Sequence, residues 1–184
     1  QNAHIVCIAI PWPGASMRQH MRFHIYCRQG RQAFWPVERR GVPPALPPLA
    51  IEREFSYDER VTGGELTLGR EFAAGAHRLL GGVEFHELRV TQHRDGVQTN
   101  LTSGESTSTI LGESLPVRDF PVSRIRELGV YFQDEWRPGG DDDWALIPAL
   151  RGDWYRLSPQ VDALYAEDNP SEPPVSIEET SVSP

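Results

Sequence analysis

Apolar and polar residues alternate with a period of two through four stretches of this 184-residue chain, and nothing else in the sequence constrains its fold as strongly. In Gly64-Glu65-Leu66-Thr67-Leu68-Gly69-Arg70-Glu71-Phe72, the apolar Leu66, Leu68 and Phe72 share one parity, while Glu65, Thr67, Gly69 and Glu71 share the other. Successive side chains of a strand point to opposite faces, so this segment reads as a strand with one apolar and one polar face. Leu79, Gly81, Val83 and Phe85 alternate in the same way with Leu80, Gly82, Glu84 and His86, although Leu80 blurs the polar side. A third strand sets Leu128, Val130, Phe132 and Trp136 against Gly129, Tyr131, Gln133 and Glu135, with Asp134 a misfit on the apolar side. A fourth sets Trp144, Leu146, Pro148, Leu150 and Trp154 against Ala145, Ile147, Ala149, Arg151, Asp153 and Tyr155. Pro148 has no N–H to give to a ladder and must sit at an edge, a bulge or a non-donating position.

The connections between these strands are short, long, short and long. Ala73-Ala74-Gly75-Ala76 suits a tight hairpin, about Gln92 to Phe120 is long, Pro138 to Asp143 is short, and Ser158 to about Ser176 is long. That order is the pattern of transmembrane barrels, which have tight turns on one side of the bilayer and extended loops on the other. Phe72, Trp136, Trp144 and Trp154 fall near strand ends, where aromatic girdles lie, and the apolar stretches approach the nine to eleven residues of a tilted spanning strand. A soluble antiparallel sandwich or barrel with one buried face gives the same alternation. No run reaches the roughly 18 apolar residues of a transmembrane helix. The reading is therefore all-β: an antiparallel transmembrane β-barrel segment of about four spanning strands and the start of a fifth.

Residues 1–50 look different. They hold six Arg and one acid, Glu38, whereas residues 51–184 hold twelve Arg and twenty-five acids. Both Cys (Cys7, Cys27) and the run Gly41-Val42-Pro43-Pro44-Ala45-Leu46-Pro47-Pro48 also fall there, which marks a boundary near Leu49 to Ile51. Residues 1–50 are accordingly expected to be an irregular or non-native segment, with translation from another reading frame as the sharper hypothesis, and residues 51–184 a partial barrel. Sequencing the upstream DNA tests that division. Two thiols alone support neither a disulfide framework nor a metal site.

The residues of the third and fourth strands carry a resemblance. Glu127-Leu128-Gly129-Val130-Tyr131-Phe132-Gln133-Asp134-Glu135-Trp136, an acidic turn, and Leu146-Ile147-Pro148-Ala149-Leu150-Arg151-Gly152-Asp153-Trp154-Tyr155-Arg156-Leu157-Ser158-Pro159 resemble the mid-barrel of TonB-dependent outer-membrane receptors, the haem/haemoglobin receptor branch above all. Tyr57-Asp58-Glu59-Arg60 upstream and Ser181-Val182-Ser183-Pro184 downstream fit the same order, while Gly152 departs from the family's usual bulky aromatic. The resemblance covers about residues 51–184. It implies a Gram-negative outer-membrane receptor with a barrel of about 22 strands, closed by a plug that this segment does not include. Such a receptor binds haem, a haem protein or an iron chelate outside the cell, takes energy through the TonB complex, and catalyses no covalent chemistry. The family's haem-ligating loop motifs lie beyond Pro184, so no ligand residue is carried over.

From the residues themselves, an iron or haem ligand requires an imidazole or phenolate with access to the ligand's path. His86, on the polar parity, and His93, at the base of the long loop, are the candidate ligand-binding residues; a structural histidine is the plainer identity of each, and of His77 in the tight turn. Haem would be cargo and not a resident cofactor, and no metal site is assigned. Asp141-Asp142-Asp143 has oxygen ligands without the spacing of a calcium loop. Glu65, Glu84, Glu135, Arg151 and Asp153 are expected to bond one another or a plug. No Gly-x-Ser-x-Gly elbow or phosphate-cradling loop occurs, and an acidic chain with no basic patch argues against nucleic acid. The alternative from another class is a soluble or small-barrel antiparallel β protein that binds an apolar ligand or serves as structure.

Overall fold

The computed structural model describes residues 4–10, 19–40, 47–138 and 144–184. In chain order the strands are β1 (His4–Ile10), β2 (Gln19–Phe34), β3 (Val37–Arg40), β4 (Leu49–Phe72), β5 (His77–Asn100), β6 (Ser106–Thr107), β7 (Thr109–Ile110), β8 (Glu113–Ser114), β9 (Val122–Trp136), β10 (Ala149–Gln160) and β11 (Ile177–Ser183). A six-residue helix, α1 (Ala163–Asp168), lies between β10 and β11. One antiparallel sheet runs β1-β2-β4-β5-β9-β10-β11, with β3 and β6 attached to β4 and β5. The expected all-β architecture is present. The four alternating stretches lie in β4, β5, β9 and β10, and β11 supplies the start of a fifth strand.

The registers line up apolar side chains from strand to strand. Met21, Leu68, Gly81, Phe132 and Leu150 form one row; Phe23, Leu66, Val83, Val130, Gly152 and Val182 the next; and Ile25, Gly64, Phe85, Leu128, Trp154 and Thr180 a third. Leu68, Val130, Phe132 and Leu150 are each more than half exposed on this face. The rows are bounded on both sides. Toward the short turn, His77 stacks between Phe72 (centroids 4.8 Å apart) and Trp136 (5.9 Å). Away from it, the next row is Thr62, Glu87, Arg126, Arg156 and Glu178, in which Arg126 donates to Glu87 at 2.8 Å. From Gly64 to Phe72 the strand rises about 26 Å at roughly 3.3 Å per residue, and tilted by about 40° it covers about 20 Å of the roughly 25 Å apolar band of a membrane barrel. Among the described residues no helix is long and apolar enough to cross a membrane, which says nothing against crossing by strands.

Three expectations are corrected. Residues 1–50 are not irregular where the structure describes them: β2 pairs with β4 without a break from Gln19↔Arg70 to Phe34↔Phe55, and β3 continues along β4 from Val37↔Glu52 to Arg40↔Leu49. The backbone ladder continues whatever the composition, and Met21, Phe23 and Ile25 alternate with Arg22, His24 and Tyr26 as the strands downstream do. The loop expected from about Gln92 starts later, because β5 stays paired with β4 as far as Asn100↔Leu49. Finally, β10 begins at Ala149 and not at Trp144. Leu146 still exchanges both backbone bonds with Trp136 at 2.9 Å, and the carbonyl of Pro148 accepts from the N–H of Asp134 at 3.0 Å, so the proline interrupts the ladder only by the donor it lacks.

Candidate functional site

The polar face of the sheet is a wall of interlocked side chains. Three of its glycines each make room for a neighbouring side chain to cross a whole strand. The Tyr26 hydroxyl of β2 passes over Gly63 of β4 to bond the imidazole of His86 on β5. Tyr131 of β9 passes over Gly82 of β5 to reach Thr67 Oγ1 (3.0 Å) and Glu65 Oε1 (3.3 Å) on β4. Arg151 of β10 passes over Gly129 of β9 to pair with Glu84 of β5, and its Nε also donates to Asp153 at 2.9 Å. A Cβ at Gly82 would lie 2.5 Å from the Tyr131 hydroxyl and 2.8 Å from the Leu66 carbonyl, so these crossings require the absence of a side chain. They answer the expectation that the charges of this face bond one another.

Farther from the short turns the same face carries a folded-back loop. Ile110 and Leu115 lie over Gly96 and, with Ile51 and Val117, form a small buried core. Val117 exchanges two backbone bonds with Arg94 (3.0 and 2.9 Å). The Arg94 guanidinium donates to Asp119 (2.6 Å) and Glu113 (2.5 Å), and Gln92 donates to Asp119 at 2.8 Å. Burial draws the pKa of Arg94 down, but Asp119 and Glu113 outweigh it and hold the group above an ordinary arginine. Arg118, which is buried, donates to the Gln92 carbonyl (2.8 Å), and its Nε forms an ion pair with Asp162 at 3.1 Å without hydrogen-bond alignment. Asn169 in turn donates to the Arg118 carbonyl at 2.9 Å, which ties the segment around α1 to the first loop.

Beside this cluster a cleft of about 550 Å³ opens among Phe34, Phe55, Tyr57, Gln92, Arg94 and Asp119. Phe34 is 66% exposed, Phe55 37% and Tyr57 38%, so three aromatic faces stand in water at one place. The Arg94 guanidinium lies 5.8 Å from the centroid of the Phe55 ring. Because Arg94 is already matched by two carboxylates, the cleft offers flat aromatic surface and amide groups more than net charge.

A family model described as TonB dependent receptor-like, beta-barrel matches residues 12–184. The chain belongs to the TonB-dependent receptor family. The matched range includes Leu49 to Ile51. No curated protein matches the chain. In TonB-dependent receptors, which are outer-membrane transport proteins, the apolar face of the barrel meets lipid and the polar face lines the lumen; the tight turns are periplasmic and the long loops extracellular. The glycine crossings thus belong to the lumen wall, and the aromatic cleft stands at its extracellular mouth.

The two candidate histidines are not brought together. His86 faces the lumen and is held by Tyr26. His93 is not at the base of a loop: it sits within β5 opposite Ser56, where its carbonyl accepts from the Ser56 hydroxyl at 3.5 Å. The two are seven positions apart, an odd number, so His93 has the parity of the lipid face and lies roughly 23 Å along the strand from His86. His77 Nδ1 donates to the Asp134 carboxylate at 2.7 Å, which explains how a carboxylate is tolerated among the lipid-facing residues. Among the described residues no three His, Cys, Asp or Glu side chains converge as a metal would require. Asp141, Asp142 and Asp143 lie outside the described residues. The aromatic cleft was missed in the sequence because Phe34 and Phe55 are adjacent only through the register of β2 with β4.

Proposed function

We propose that the chain is barrel wall from a Gram-negative outer-membrane receptor that captures haem, a haem protein or another iron chelate at its extracellular mouth and imports it with energy taken through TonB by way of a plug domain. The observation that carries this reading is the cleft of Phe34, Phe55 and Tyr57. A flat, largely apolar ligand stacks on such faces, and Gln32 and Gln92 at the edges supply hydrogen bonds. The mouth is followed inward by a polar wall on which the His86 imidazole faces the path, as does that of His24 opposite Glu65. In this reading Gln19–Arg40 belongs to the same wall, and upstream DNA that continues alternating strands in the present frame supports it over translation from another frame.

Haemin titrated into the full-length receptor, followed at the Soret band, tests the proposal. Phe55→Ala combined with Tyr57→Ala is expected to weaken binding at least tenfold, which is about 1.4 kcal/mol. His86→Ala is expected to reduce the Soret shift and His93→Ala to leave it as in the parent. An unchanged titration in the double variant refutes the mouth as the capture site, and an unchanged spectrum in His86→Ala removes that residue as an iron ligand.

A further inference from the structure

The lipid-facing side of the sheet carries a depression that the lumen-side chemistry does not use. In the row Leu68–Gly81–Phe132 the middle position has no side chain, while Leu68 and Phe132 on either side are 51% and 52% exposed. The result is a groove of about 670 Å³ floored by Gly81, with Leu66, Leu68, Leu79, Val83 and Phe132 along its sides and Arg70 among the residues that line it. Its lining is almost wholly aliphatic and aromatic, as suits a hydrocarbon chain. Arg70 is two residues from Leu68 on the same face, toward the short turn at Ala73–Gly75. A guanidinium on the lipid-facing parity is costly in hydrocarbon, and an arginine this close to the strand end is long enough to carry its head to the interface. Its five N–H donors in a fixed fork match phosphate, and another partner still leaves donors over.

We propose that this groove and Arg70 form a seat for one glycerophospholipid, with an acyl chain laid over Gly81 and the phosphate held by Arg70. The short-turn end of the barrel is periplasmic in this family, and that leaflet is the glycerophospholipid leaflet, whereas lipopolysaccharide headgroups lie at the opposite rim. The groove also accepts a filling side chain: a Cβ on Gly81 would meet the Tyr131 carbonyl at 3.4 Å and Phe132 at 3.6 Å, which are ordinary contacts.

The test is native mass spectrometry of the full-length receptor released from detergent with added phosphatidylglycerol or lipopolysaccharide, comparing the parent with Gly81→Leu, Arg70→Gln and Gly152→Leu. Gly152 lies on the same face outside the groove, with nothing within 4 Å of its would-be Cβ, and so serves as the control. The parent and Gly152→Leu are expected to retain one phosphatidylglycerol. Gly81→Leu and Arg70→Gln are each expected to lower its occupancy roughly tenfold, equivalent to about 1.4 kcal/mol. Arg70→Gln leaves the groove intact, so its result stands even if Gly81→Leu folds poorly. Equal occupancy in all four proteins, or lipopolysaccharide displacing the phospholipid from the parent, overturns the proposal.

Discussion

Adjacent glycines on β5 are expected to respond to alanine with opposite signs. At Gly82 a Cβ would lie 2.5 Å from the hydroxyl and 2.6 Å from Cζ of Tyr131, and 2.8 Å from the Leu66 carbonyl. The tyrosine must leave, giving up its bonds to Thr67 (3.0 Å) and Glu65 (3.3 Å), and the backbone of β4 must yield. Two lost hydrogen bonds at about 0.5–1.5 kcal/mol each and overpacking at about 1–3 kcal/mol lead to an expected loss of roughly 2–6 kcal/mol. At Gly81, where the new methyl meets only ordinary contacts, the reduced freedom of the unfolded chain is expected to stabilise by about 0.5 kcal/mol. Urea unfolding of the full-length receptor in lipid vesicles, with Gly81→Ala, Gly82→Ala and Tyr131→Ala alone and in combination, reads both signs. In the Tyr131→Ala background Gly82→Ala is expected to cost about 1–3 kcal/mol less than in the parent. Equal shifts at the two glycines, or full additivity with Tyr131→Ala, refutes the crossing as the reason for Gly82.

Two further outcomes concern the extracellular side. Ile110→Ala removes a side chain that is 3% exposed in a four-residue core; the expected cost is about 2–5 kcal/mol. It is local to the folded-back loop, seen as faster protease cleavage within residues 101–121 while the barrel's resistance is unchanged. Arg118→Met keeps an apolar stem but removes the bond to the Gln92 carbonyl and the ion pair with Asp162. Hydrogen exchange of the α1 amides is expected to quicken about 5- to 150-fold, by an opening cost lowered about 1–3 kcal/mol, with exchange in β5 unaltered.

The faces of the sheet were legible wherever one parity is apolar, as in Leu66, Leu68 and Phe72 or in Leu128, Val130 and Phe132. Legibility ended where both parities are polar. Gln92, His93, Arg94 and Asp95 read as loop, yet they are strand, because β4 runs alongside and the ladder between the two supplies the order. In β2, Met21, Phe23 and Ile25 alternate with Arg22, His24 and Tyr26, but the basic composition and the proline run after Arg40 mask that signal. Parity assigns Gly81 to the apolar face and Gly82 to the polar one, but only the register, which sets Phe132 opposite Gly81 and Tyr131 opposite Gly82, makes the first a lipid-side gap and the second a passage. For the same reason His86 and His93 looked equivalent. Parity alone separates them, and applying it requires knowing that β5 runs without a bulge as far as Asn100.

The partition of the sheet between lipid and lumen is tested most directly by nitroxide labels placed singly at each position from Leu128 to Gln133 of β9 in the full-length receptor in lipid vesicles. Collisions with oxygen are expected to peak at Leu128, Val130 and Phe132, and collisions with a water-soluble nickel chelate to peak at Gly129, Tyr131 and Gln133. A profile without this two-residue alternation, or a chelate that reaches Val130 as readily as Tyr131, contradicts a membrane-spanning wall.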